Sequence, residues 1–153
     1  MSSGQSTEPK LSLELVPRPC WGNNVRNEVT PVEWDAIRAM VYYLAEYSCD
    51  ICEKRTKKLH AHEQWKYDTK TRTQTLIGFQ ALCERCHEVK HYGRAEIVGR
   101  GTHAKDWMKK VNGWTNEEVA EHITESFGEW GIRCEIKNWK LDIHYLKEFM
   151  EQF

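Results

Sequence analysis

Proline and glycine are scarce here: four and nine residues in a chain of 153. That excludes a collagenous chain and a low-complexity, disordered one. Long apolar runs are missing too, with nothing near the roughly 18 residues of a membrane-spanning helix. The opening segment MSSGQSTEPK is polar where a secretory signal would be apolar. The expectation is a cytoplasmic protein with no membrane partner. Net charge is almost absent, since 22 Lys and Arg face 23 Asp and Glu for a formal total of -1. Taken alone, that total argues against a polyanionic ligand.

What is present is an ordinary globular composition, 40% hydrophobic and 29% charged. A chain of this length forms one domain by default and buries roughly 68–70% of its unfolded surface. The charge is unevenly spread. Residues 1–48 carry 4 basic and 6 acidic side chains, residues 49–110 carry 14 and 8, and residues 111–153 carry 4 and 9. The basic middle also holds five of the seven histidines. Asymmetry of this kind marks either a solvated surface or a polyanion site.

The first ten residues read as a flexible tail. Leu11, Leu13 and Leu15 alternate with polar neighbours, as in a short strand or extended arm ahead of Pro17 and Pro19. Thr30, Pro31 and Glu33 form a capping box with proline at the first helical position, and Trp34, Ile37, Val41 and Leu44 continue at helical spacing. This predicts a helix over 31–47. A second capping box, Thr115 with Glu118, predicts a helix over 115–128, its end loosened by Gly128 and Gly131. Between the two, 103–111 reads as a short helix. Trp139, Leu141 and Ile143 alternate as a strand, followed by a short terminal helix from about Tyr145.

Four of the six cysteines form two equally spaced pairs, Cys49-Asp-Ile-Cys52 and Cys83-Glu-Arg-Cys86. The turn of a C-x-x-C knuckle aims two thiolates at one point, and two knuckles supply the four soft ligands of a tetrahedral Zn²⁺. Two disulfides suit an oxidising compartment, and a redox dithiol explains only one pair, so a structural zinc site is the stronger reading. Cys20 and Cys134 read as small buried hydrophobes. His87 and His91 follow the second knuckle four residues apart, one face of a helix. His60 and His62 share one face of a strand, where a third imidazole can meet that pair.

The segment 49–92 resembles the HNH endonucleases of the ββα-metal fold. The likeness rests on Cys49 and Cys52, the strand ending near His62, the run Gly78-Phe-Gln-Ala-Leu-Cys83, and Cys86-His87-Glu-Val-Lys90-His91. The flanks, including Cys20-Trp21-Gly22-Asn23-Asn24 and 139–143, are similar to bacterial and phage proteins usually labelled HNH endonucleases. The resemblance implies an α+β fold: a zinc-stabilised ββα-metal core at 49–95, an N-terminal arm and helix at 11–48, and a C-terminal extension at 96–153. It implies that His62 is the general base, that His87 and His91 hold a catalytic divalent ion (Mg²⁺, Mn²⁺ or Ni²⁺), and that Cys49, Cys52, Cys83 and Cys86 hold structural Zn²⁺. Lys57, Lys58, Arg72, Lys90 and Arg94 would then contact backbone phosphates, which gives affinity without sequence preference.

Two positions depart from the family. Ala61 stands where an acidic residue or histidine usually precedes the base, and Gly78 stands where the family's middle Asn falls. His60, Glu63 and Asp68 are the residues available to compensate. The expected activity is metal-dependent hydrolysis of phosphodiester bonds in DNA or RNA. The alternative is an inactive zinc module that binds nucleic acid, or binds a protein partner through the acidic C-terminal third, as a phage or bacterial regulator or inhibitor.

Overall fold

A computed structural model of the protein describes residues 8–153. The tail expected at 1–10 therefore lies outside the described residues except for its last three. The fold is mixed α+β. A long antiparallel hairpin, β1 (His60–Asp68) and β2 (Thr73–Leu82), is joined on its β2 side by a short parallel strand, β3 (Lys140–Asp142). Helix α1 (Pro31–Leu44) precedes the hairpin. Helices α2 (Glu84–Lys90), α3 (Tyr92–Ile97), α4 (Gly101–Asn112) and α5 (Asn116–Cys134) follow it, and α6 (His144–Met150) closes the chain.

The hairpin separates two apolar cores. On one face α1 and α6 bring Ile37, Val41, Leu146 and Phe149 onto Leu76 and Ala81. The other core joins the cysteine knuckles to α2, α3 and α4 through Leu82, Val89, Tyr92 and Met108, with Leu11 and Leu13 of the N-terminal segment inserted among them. Strict alternation along β2 cannot put Leu76, Phe79 and Ala81 on one face. The register shifts opposite Gln64 and Trp65, where Gly78 pairs with Gln64 and Leu76 with Trp65. Ile77 is the extra residue, turned outward and 53% exposed. A bulge at this point restores the apolar face beyond it.

Both capping boxes form: Thr30 with Glu33, and Thr115 with Glu118, each bonding in both directions. The first helix ends at Leu44 rather than 47, because Glu46 and Tyr47 take positive φ and turn the chain into the first knuckle. Helix α5 runs to Cys134, past Gly128 and Gly131. Each internal glycine costs about 1 kcal/mol in helix propensity. Contacts with the N-terminal segment offset that cost: Trp130 donates to the Val16 carbonyl at 3.0 Å and lies under the Arg18 guanidinium. The segment around Leu11–Leu15 is an extended arm rather than a sheet strand. It is fastened by Asn112, which both donates to and accepts from the Leu11 backbone, and by Glu14 N donating to Lys90 O. Among the described residues, no helix is long and apolar enough to cross a membrane.

Candidate metal centres

The two knuckles meet at the end of the hairpin because β2 leads directly into the second one. Asp50, inside the first knuckle, locks them together: its N–H donates to the Ala81 carbonyl and its carboxylate accepts from the Ala81 N–H, both at 2.8 Å. The four sulfurs of Cys49, Cys52, Cys83 and Cys86 lie within 4.8 Å of one another, and those of Cys52 and Cys83 are 3.6 Å apart. Tetrahedral zinc with bonds of about 2.3 Å separates its sulfurs by about 3.8 Å, so the cluster has the dimensions of a four-cysteine zinc site. The chemistry agrees. Backbone N–H groups of Ile51 and Cys52 donate to Cys49 Sγ, that of Cys86 donates to Cys83 Sγ, and the Trp107 indole N–H donates to Cys86 Sγ at 3.3 Å. Donors aimed at sulfur favour the thiolate. The thiols do not titrate alike: the hydrogen bond with Cys86 draws Cys49 well below the ordinary thiol range, burial pushes Cys52 up, and the bond with Cys49 pushes Cys86 up. A divalent cation removes that conflict.

A second convergence lies beside the first. Strand β1 presents His62 and helix α2 presents His87, with His91 capping that helix, and one ring nitrogen of each falls within 4.8 Å of the others. His87 Nε2 and His91 Nε2 are 3.1 Å apart. Two nitrogens bound at about 2.0–2.1 Å to one ion stand about 3.0–3.4 Å apart, so this pair already has the spacing of two ligands. Burial is the first cause that pushes His87 down to about 3 and His91 down to about 4, with neighbouring imidazoles adding to it. Both are therefore neutral at physiological pH, the form that binds metal. His60 lies on the same strand face as His62, exposed, and its ring stacks on His87 with centroids 4.8 Å apart.

The residues singled out from sequence fall in different places. His62 is only 4% exposed, and its Nε2 is 2.7 Å from Glu14 Oε1. Lys90, expected among the phosphate contacts, is also 4% exposed and turned inward: its ammonium donates to Glu14 Oε2 at 2.6 Å and to Ser12 Oγ at 3.3 Å. An ammonium committed to that buried pair is not available to a phosphate. Arg72 sits at the hairpin tip with positive φ, next to Thr73, whereas the strand partner of His62 is Gln80 near the other end of β2. At about 3.3 Å per residue this places Arg72 roughly 25 Å from the histidines. Lys57 and Lys58 are exposed just before β1, and Arg94 is exposed on α3, close enough to act electrostatically on His91. Glu63 faces the opposite side of β1, where its carboxylate accepts from Val25 N at 3.1 Å. Asp68 accepts from the turn amides of Lys70 and Thr71. Neither joins the histidines.

Two participants have no sequence signal. Glu14 is one acid in an alternating segment 48 residues from His62, and Trp107 is one of seven tryptophans. Only the docking of the arm and of α4 brings them to the two clusters. Comparison of the chain with family models, with curated proteins and with solved structures found no match.

Proposed function

We propose that the chain is a metal-dependent phosphodiesterase of the HNH type, acting on DNA or RNA. The convergence of His62, His87 and His91 beside a separate four-cysteine cluster carries this reading. It is supported by the order hairpin then helix, and by the exposed Lys57, Lys58 and Arg94 near the histidines in the chain or in space. Three imidazoles are a donor set for Ni²⁺, Co²⁺ or Zn²⁺ rather than for Mg²⁺. Such an ion supplies Lewis-acid stabilisation of a phosphoryl oxygen and of the departing 3′ oxygen.

The roles of the protein groups follow from exposure. His62, buried and committed to Glu14, is suited to hold an ion. His60, exposed against His87, is suited to take the proton of the attacking water. The base is thus moved by two residues along β1 from the position that the family resemblance implied. The test is cleavage of supercoiled plasmid and of single-stranded RNA with a panel of divalent ions. His87→Ala should abolish cleavage. His60→Ala should slow it by about 10²–10⁴-fold while Ni²⁺ binding is retained. Full activity in His60→Ala would remove His60 from the role.

A second reading is a non-catalytic module with a protein partner. It is favoured by the exposed acidic line Glu117, Glu118, Glu121, Glu125 and Glu129 on α5, a surface that repels a phosphate backbone. Absence of cleavage with every ion, and of nucleic-acid binding at low salt, would select it.

A further inference from the structure

The N-terminal arm does more than fill the core. Its alternation sends Leu11 and Leu13 inward, and the polar residues between and after them, Ser12 and Glu14, meet the end of helix α2 and strand β1. Four backbone-directed bonds fix this register: Leu11 N to Asn112 Oδ1, Asn112 Nδ2 to Leu11 O, Leu13 N to His122 Nε2, and Glu14 N to Lys90 O. The Glu14 carboxylate is thereby delivered between two groups, with Oε1 2.7 Å from His62 Nε2 and Oε2 2.6 Å from Lys90 Nζ.

We infer that Glu14 is a positioning residue of the histidine centre, holding His62 with its Nε2–H toward the arm and its Nδ1 lone pair free for a metal ion. Glu14 lies outside the set of donor atoms that fall within 4.8 Å of one another, so it orients a ligand rather than serving as one. Its other oxygen accepts from the Lys90 ammonium at 2.6 Å, the arrangement of a carboxylate in an ion pair. It is therefore an acceptor only, and the nitrogen facing it must carry the proton. Metal-binding histidines are commonly held this way, with the second ring nitrogen donating to a carboxylate. Lys90 serves the same arrangement by aligning the other carboxylate oxygen. The inference rests on the reading of the three histidines as a metal site, but it adds a residue from outside the hairpin-helix unit and makes the arm part of the centre.

The test uses the full chain with zinc at the cysteines, in four forms: unchanged, Glu14→Gln, Lys90→Met, and the double variant Glu14→Leu with Lys90→Met. The double variant removes both charges together and so leaves no buried ion unpaired. Long-range ¹H–¹⁵N correlation of the histidine rings, without added metal in mildly alkaline buffer, should show His62 protonated on Nε2 in the unchanged and Lys90→Met proteins. In the double variant it should show a mixture of tautomers. Calorimetric titration with Ni²⁺ should show affinity about 10–100-fold weaker in the double variant than in Lys90→Met, with Glu14→Gln in between. Equal affinity in the double variant and in Lys90→Met, or protonation of His62 on Nδ1 in the unchanged protein, overturns the role of Glu14. If no form binds Ni²⁺, the metal reading itself falls and the inference falls with it, while the tautomer still reports whether Glu14 orders the ring.

Discussion

Lys90 gives two opposed predictions from one substitution. If its ammonium served a phosphate, Lys90→Met would leave folding untouched and lower the salt dependence of nucleic-acid binding by about one unit of slope. In the structure the ammonium is buried between Glu14 and Ser12, so the loss should appear in stability. Removing one partner of a buried ion pair costs about 3–5 kcal/mol, mostly through the charge left behind. The Glu14 side chain is 32% exposed, so water recovers part of that penalty, and about 2–3 kcal/mol is the expectation here. At this chain length each kcal/mol moves the melting midpoint by about 2–4 °C, giving a fall of about 4–12 °C. The assay is thermal unfolding followed by circular dichroism, with zinc saturating, and urea unfolding to obtain the free energy. The double variant with Glu14→Gln should recover much of the loss, because no charge is then stranded. A midpoint shift under about 2 °C, together with a changed salt slope, would refute the placement of Lys90.

Two further predictions concern the parts that hold the centres together. Cys86→Ala should abolish the one-per-chain zinc expected by elemental analysis and, with it, cooperative unfolding. Structural zinc supplies about 10–16 kcal/mol in small zinc domains, against a usual total stability of about 5–15 kcal/mol; retained stoichiometric zinc and an unaltered melt would count against the site. His122 accepts from the Leu13 N–H through Nε2, and burial holds its pKa below the ordinary imidazole value of about 6.5. The folded state thus binds fewer protons than the unfolded one. The stability due to His122 is complete above about pH 6.5 and is lost as pH falls below it toward the lowered folded value. Urea midpoints across that window should therefore slope less in His122→Gln than in the unchanged protein, and parallel slopes would sink the assignment.

Sequence alone determined the parts whose physics is local. Both capping boxes formed where Thr30 with Glu33 and Thr115 with Glu118 specified them, because the groups that bond lie three residues apart. The two C-x-x-C spacings specified paired sulfurs, and i,i+4 spacing put His87 beside His91. Local patterns overreached where packing intervened. Gly128 and Gly131 weaken helix propensity, yet contacts of Trp130 with the arm carry α5 to Cys134. A period of two would put Leu76 and Phe79 on opposite faces of β2, and only the pairing with β1, with its bulge at Ile77, brings them to one face.

What the tertiary structure decided is which charges are spent internally. The surplus of basic residues over 49–110 counted Lys90 as a free cation, but the arm neutralises it with Glu14 from the acidic first third. The same contact buries His62 and leaves His60 as the exposed imidazole of β1. Neither outcome is contained in spacing, because each depends on Glu14, 48 residues from His62, being set in register through Asn112 and His122.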